Sequence, residues 1–224
     1  MKKMKVMILT LCAGIVMAGC NNLAKGTAIG AAGGAVLGAI VGKVAGNTAV
    51  GAAVGTAVGA GTGALIGKHM DKVKKEAEAV KNAQVESVTD ANGLQAVKLT
   101  FDSGILFATN KSDLNANSKA ALNQCATLLK NNADCDIAIF GQTDNTGSDA
   151  INNPLSVKRA KAVETYLKGQ GVSATQIRTV DGQGSTNPVA DNSTAAGRQQ
   201  NRRVEIYMYA SQAMIQAAEA GTLK

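Results

Sequence analysis

The 224-residue sequence predicts a two-layer α/β (α+β) sandwich preceded by a helical hairpin of glycines. Two observations carry this. From Val85 onward, short alternating apolar runs interleave with segments whose apolar residues recur at helical spacing, the pattern of strands and helices packed as two layers. Between Gly26 and Gly67, glycine returns at nearly every fourth residue. Aromatic residues make up only 3% of the chain against 25 glycines, which argues against one uniform globule.

The first nineteen residues read as a secretory signal. Lys2, Lys3 and Lys5 precede an apolar run, Val6 to Ala18, too short for a comfortable transmembrane helix. Met17-Ala18-Gly19-Cys20 resembles the processing box of bacterial lipoproteins. The resemblance implies that the Cys20 thiol carries lipid and opens the mature chain, with residues 20–25 as its lipidated N-terminus. Two or more acyl chains on one residue give firm attachment to membrane lipid, whereas one is marginal. By the same analogy the expected location is the outer membrane, with the folded part in the periplasm. Removing the three signal lysines lowers the formal charge from +7 to +4. That leaves mild attraction to anionic envelope polymers. Neither zinc spacing nor aromatic-basic interleaving supports nucleic-acid binding.

Residues 26–67 hold two glycine runs in steps of four, Gly26 to Gly46 and Gly51 to Gly67, broken at Gly46-Asn47-Thr48. A four-residue step lines one helix face. Glycine costs about 1 kcal/mol per residue in a soluble helix, so close backbone approach must compensate. The spacing predicts two helices of about 30 Å each, turning at the break. A hairpin in or on the membrane, a soluble glycine-packed hairpin and a disordered tether all remain open, and the face offers a route to a homo-oligomer. The repeat resembles the glycine-zipper segments of outer-membrane lipoproteins.

Residues 68–90 turn charged. Met70, Val73, Ala77 and Val80 make a thin apolar stripe, and Asp71–Lys75 and Lys74–Glu78 are spaced as i,i+4 pairs. The expectation is a helical linker holding a domain of residues 91–210 off the membrane, with His69 exposed. Asp90-Ala91-Asn92-Gly93 is a hairpin turn between Val85–Val88 and Leu94–Thr100. A helix over Asn115–Lys130, a strand over Cys135–Phe140, a helix over Pro154–Lys168, a strand over Ile177–Asp181, a polar loop and a last strand over Arg203–Tyr209 complete the domain. Residues 211–224 form a tail.

Gly141 to Leu167 is the stretch that carries chemistry. Thr143-Asp144-Asn145-Thr146-Gly147 is a turn after a strand, since Asp and Asn bond nearby backbone amides and Gly takes unusual dihedrals. Pro154 suits the first turn of the helix that follows, which puts Arg159 about one turn in. A carboxylate on the loop and a guanidinium on the helix can grip the ammonium and carboxylate of one zwitterion.

Thr143, Asp144 and Gly147, then Asn152, Leu155, Ser156, Arg159, Ala160, Val163 and Leu167, then Gly171-Val172, Gly182, Gly184, Pro188, Gly197 and Asn201-Arg202-Arg203-Val204-Glu205 form a long pattern. It resembles the OmpA-like peptidoglycan-binding domain over approximately residues 97–210. The resemblance implies non-catalytic binding of the diaminopimelate in the peptide stem of peptidoglycan. Asp144 and Arg159 would be the ligand contacts, with Thr143, Asn152 and Arg202 beside them. Gln142 stands where the family often has His. Whether Arg202 or Arg203 meets the ligand is left open.

Signal removal and lipidation leave Cys125 and Cys135, which an oxidising periplasm could join in a disulfide or leave as two buried thiols. Two cysteines without a neighbouring His in the sequence do not suggest a metal site, and no cofactor is implied. An enzyme is disfavoured because Asp144 has no evident second carboxylate and the lone His no partner.

Overall fold

The structure, a computed structural model, describes residues 60–90, 93–107 and 110–223. The signal, Cys20 and nearly all of the glycine hairpin lie outside the described residues. The first described element is α1 (Ala60–Ala77), which takes in the end of the glycine repeat. Strands β1 (Ala83–Thr89) and β2 (Gln95–Asp102) follow, then a short α2 (Ser103–Leu106) and α3 (Ala116–Asn131). Next come β3 (Cys135–Gly141), α4 (Asp149–Gly169), β4 (Ile177–Gly182), α5 (Ala195–Asn201), β5 (Arg203–Ala210) and α6 (Gln212–Glu219).

The last strand is the centre of the sheet, whose order is β1-β2-β5-β3-β4. β5 pairs antiparallel with β2 and β3, and β3 runs parallel to β4 through the α4 crossover. Alternation decides the faces. Val204, Ile206 and Met208 point inward with Val97, Leu99, Phe101, Ile137 and Ile139, while Ala138, Phe140, Tyr207 and Tyr209 form a smaller cluster on the other face. Helices α1, α3, α4 and α6 cover the inward face, which makes the expected two layers.

The hairpin turn is the one its residues require. The Leu94 amide donates to Asp90 Oδ1 at 2.8 Å, the Asp90 amide donates to the Leu94 carbonyl at 2.8 Å, and Gly93 has φ 75°. Helix α3 begins behind Asn115, whose side chain accepts from the Ser118 amide.

Several expectations need correction. The stretch expected as a linker is part of the domain: Ile66, Met70, Val73 and Ala77 are fully buried in the main core. Their spacing of three and four residues is one helical face, and the sheet's inward side gives it a partner. Polar ties hold the rim. Asp71 accepts from Gln95 at 2.6 Å instead of pairing with Lys75, Glu76 accepts from Asn132 at 2.9 Å, and His69 sits 3.1 Å from Asp134. His69 is therefore mostly covered, and not exposed as expected. The tail is also structured, because Met214, Ile215 and Ala218 of α6 bury against that same core. Helix α4 starts at Asp149 and not at Pro154. Proline is tolerated inside because Ala150, whose carbonyl loses its bond, and Pro154 itself are both exposed. A short helix, α5, likewise occupies part of the expected polar loop, capped by Thr194 accepting from Gly197.

Cys125 and Cys135 are free, buried thiols, so the disulfide alternative is not the one formed. Each faces the apolar core, and burial pushes the Cys125 thiol up to about 12, keeping it protonated and inert.

Docking of α1 has a direct consequence. Met70→Ala should destabilise the chain by about 2–5 kcal/mol, the range for a buried Met truncated to Ala, measured by urea denaturation. A linker helix standing clear of the domain would leave the midpoint unchanged.

Candidate functional site

The Asp144 loop is built by local bonds. Thr146 donates its amide to Asp144 Oδ1 at 2.8 Å, a tight Asx-type turn, and Gly147 follows with φ 90°, a left-handed conformation that favours glycine. Asn152, on the first turn of α4, donates its side-chain amide to the carbonyls of Asp144 and Thr146. The loop is thereby stapled to the helix. Thr143 is anchored from the other side, its amide donating to the Gly184 carbonyl at 2.8 Å.

Helix α4 reaches its position because the strands beneath it lack side chains. A Cβ on Gly141 would overlap the Ser156 carbonyl, and one on Gly182 the backbone of Ser156 and Val157. Ser156 Oγ donates to the Asn153 carbonyl at 2.7 Å and accepts from the Gly184 amide at 3.0 Å, clasping helix and strand-end loop. Asn152, Ser156 and Arg159 then lie along one buried face. Arg159 is near the middle of α4, about three turns in, and not one turn as expected from a start at Pro154.

These elements enclose a cleft of about 430 Å³. All five residues expected at the site line it: Thr143, Asp144, Asn152, Arg159 and Arg202. Four more lining residues, Ser103, Gly104, Phe107 and Asn110, come from α2 and the loop after it. Gln142, the position that departs from the family pattern, is not among the lining residues; its amide donates to Gln183 at 2.7 Å.

Charge is organised tightly here. Asp144 is paired with Arg202, which donates to Asp144 Oδ2, and not with Arg159. Burial alone would raise the Asp144 carboxyl. The bonds from Thr146 and Arg202, with the Arg202 charge, outweigh it and hold the group below the ordinary carboxylate value. Arg159 is only 4% exposed. Its Nε donates to the Lys111 carbonyl at 3.2 Å, and its guanidinium lies 5.3 Å from the Phe107 ring centroid, within cation–π range. Its two terminal nitrogens make no hydrogen bond among the described residues. Burial first, then repulsion from Arg202, lower its pKa, and Asp144 opposes both. Thr143 Oγ1 and Ser103 Oγ are buried beside the cleft without a hydrogen-bond partner among the described residues.

The two adjacent arginines separate cleanly. Arg203 is buried on the open face of the sheet, paired with Glu205 at 2.8 Å and donating to the Asn187 and Asn201 carbonyls. Arg202 turns to the cleft. Sequence reasoning missed Ser103 and Lys111. Ser103 follows Asp102, which caps α2, and its amide donates to the Arg202 carbonyl at 2.8 Å. Lys111 acts through its backbone, which leaves no side-chain signal.

Comparison with known proteins supports the fold. Residues 106–202 match the OmpA family model, and residues 1–71 the YMGG-like Gly-zipper model. The chain is 45% identical over 111 residues to the peptidoglycan-binding protein ArfA of Mycobacterium tuberculosis, covering 50% of this chain and 34% of that protein. It is 35% identical over 141 residues to the Escherichia coli protein named "Probable lipoprotein YiaD", covering 63% of each. It spans about a third of the length of the mycobacterial relative, 34%. Among solved structures, a MotB-like protein from Desulfovibrio vulgaris superposes with TM-score 0.58 at 24% identity, over 67% of this chain and 96% of that one. The cell wall anchor of the T6SS from Pseudomonas aeruginosa superposes with TM-score 0.53 at 25% identity, over 63% and 97%. The described residues have an OmpA-like fold, and the match to the glycine-zipper model lies largely ahead of it in the chain. The residues matched to the OmpA model leave out α1, β1, β2 and β5, which complete the sheet and its cover.

Arg202 should hold the ionisation of Asp144. A carboxyl depressed in the folded state adds stability above its unfolded value of about 3.9, lost as pH falls through the folded value. In Arg202→Ala the Asp144 carboxyl should titrate at higher pH than in wild type, read by carbon-13 NMR. An unchanged titration would show that Arg202 does not act on it.

Proposed function

We propose that this protein binds peptidoglycan without catalysis, taking the diaminopimelate of a stem peptide between Asp144 and Arg159. The observation that carries this is Arg159: a buried guanidinium whose two terminal nitrogens lack protein partners among the described residues, in a cleft that also holds Asp144. A buried cation left without its hydrogen bonds is unfavourable, and a carboxylate bound in a two-bond fork relieves it. Among the described residues the Asp144 carboxylate accepts only from Thr146 and Arg202, so lone pairs remain on its oxygens for an ammonium. With Arg159 and Arg202 against one Asp144, the cleft is net positive, which suits a zwitterion carrying an extra carboxylate. Thr143 and Ser103 supply unpartnered hydroxyls at the same walls. Asn152 acts by holding the loop.

Asp144 is the one acid lining the cleft among the described residues, whereas glycoside hydrolysis needs two. The names of the relatives support the binding reading: one is called peptidoglycan-binding, another a cell wall anchor. With lipid on Cys20, the whole chain would tether the outer membrane to the wall, and many copies in one plane would give strength that a single modest site lacks. A second reading, assembly through the glycine hairpin, concerns residues outside those described and is compatible with the first.

The test is sedimentation with purified peptidoglycan. Asp144→Ala and Arg159→Ala should each weaken binding about 10- to 150-fold, the equivalent of about 1.5–3 kcal/mol for a charged hydrogen bond. Wild-type binding by both variants would remove the site assignment.

A further inference from the structure

Away from the cleft, three unlike donor atoms meet where α1 packs on the sheet. His69 of α1, Asp134 before β3 and Cys135 opening β3 bring an imidazole nitrogen, a carboxylate oxygen and a sulfur within 4.8 Å of one another. His69 Nε2 is 3.1 Å from Asp134 Oδ2. The Asp134 side chain is 39% exposed and that of His69 12%, so they form the mouth, while Cys135 is fully buried at the floor.

We propose that His69, Asp134 and Cys135 form a binding site for a divalent, borderline-soft transition-metal ion of the Zn(II) class, with water as the fourth ligand. Nitrogen, oxygen and sulfur are the donors zinc takes, and three protein ligands with one open position is a recurring arrangement. Donors of a tetrahedral zinc sit roughly 3.3–3.8 Å apart. A set already within 4.8 Å closes on an ion by small side-chain rotations.

The surroundings favour a cation. The carboxylates of Asp134, Asp136 and Glu76 lie near enough to act electrostatically on the Cys135 sulfur. The carboxylates that oppose a bare thiolate stabilise a dication, and the ion reverses the balance at sulfur. Binding releases the thiol proton to solvent as the sulfur–metal bond forms, and no electron moves. A His69–Asp134 ion pair alone would fasten α1 to β3, but it does not call for a thiol at the third corner. Because α1 takes in the end of the glycine repeat, a bound ion would lock that helix to the sheet.

The experiment titrates Co(II) into the full chain under reducing conditions. One Co(II) should bind with a sulfur-to-cobalt charge-transfer band in the near ultraviolet, and Zn(II) should displace it and raise the melting temperature. Cys135→Ser should lose the band, and His69→Gln should weaken Co(II) binding at least about 10-fold, both with wild-type circular dichroism. No band in the wild type, or a band that survives Cys135→Ser, overturns the site. If Cys135→Ser fails to fold, the rim variants decide: unchanged Co(II) affinity in both Asp134→Asn and His69→Gln overturns it.

Discussion

Helix α4 lies so close to the strands beneath it that Gly141 and Gly182 have no room for a Cβ, and the rest of the cleft depends on that contact. Backbone meets backbone at Ser156, whose hydroxyl joins the helix to the loop after β4. Once the helix is seated there, its buried face points Asn152 at the turn above β3 and Arg159 toward α2. The turn then has one geometry, because Asn152 holds both carbonyls that would otherwise let it open. A larger residue at either glycine would lift the helix and move Arg159 and Asn152 away from Asp144 together. Loop, helix and guanidinium are one mechanical unit.

The electrostatics follow from that unit. Two guanidinium groups converge on one carboxylate, and they are unequal. Arg202 is half open to solvent and saturates one oxygen of Asp144. Among the described residues Arg159 is buried, bonded through a single nitrogen to a backbone carbonyl, and its guanidinium lies over an aromatic ring. Arg202 therefore fixes the carboxylate, and Arg159 is the group with unspent hydrogen-bonding capacity. Among the described residues the cleft is net positive and bears two unpartnered hydroxyls, which suits the carboxylate-bearing ligand proposed for it.

Much of this architecture was legible because periodicity reports burial. The alternation in β5 and the helical spacing in α3 and α4 are set by which side faces the core, and the structure follows them. The convergence of Thr143, Asp144, Asn152, Arg159 and Arg202 was readable through family resemblance, since the residues are far apart in the chain. What stayed hidden depends on tertiary partners. The stripe Met70-Val73-Ala77 reads as a weak helix until the sheet supplies the surface it buries against. Pro154 reads as a helix start because local rules place it there, and solvent exposure at Ala150 is what allows the helix to begin earlier. Arg202 and Arg203 are indistinguishable in sequence; strand alternation sends one to Glu205 and the other to Asp144. His69 had no sequence neighbour to mark it, and only folding brings it to Cys135.

The central claim is that Arg159 and Asp144 hold the two ends of one amino acid. It is tested most directly by a crystal structure of the protein with a diaminopimelate-containing stem peptide. The account requires a ligand carboxylate within about 2.7–3.2 Å of the Arg159 terminal nitrogens and the ligand ammonium on Asp144, with Arg202 still paired to that carboxylate. A peptide seated elsewhere, or in the cleft with Arg159 still bonded only to the Lys111 carbonyl, would contradict it.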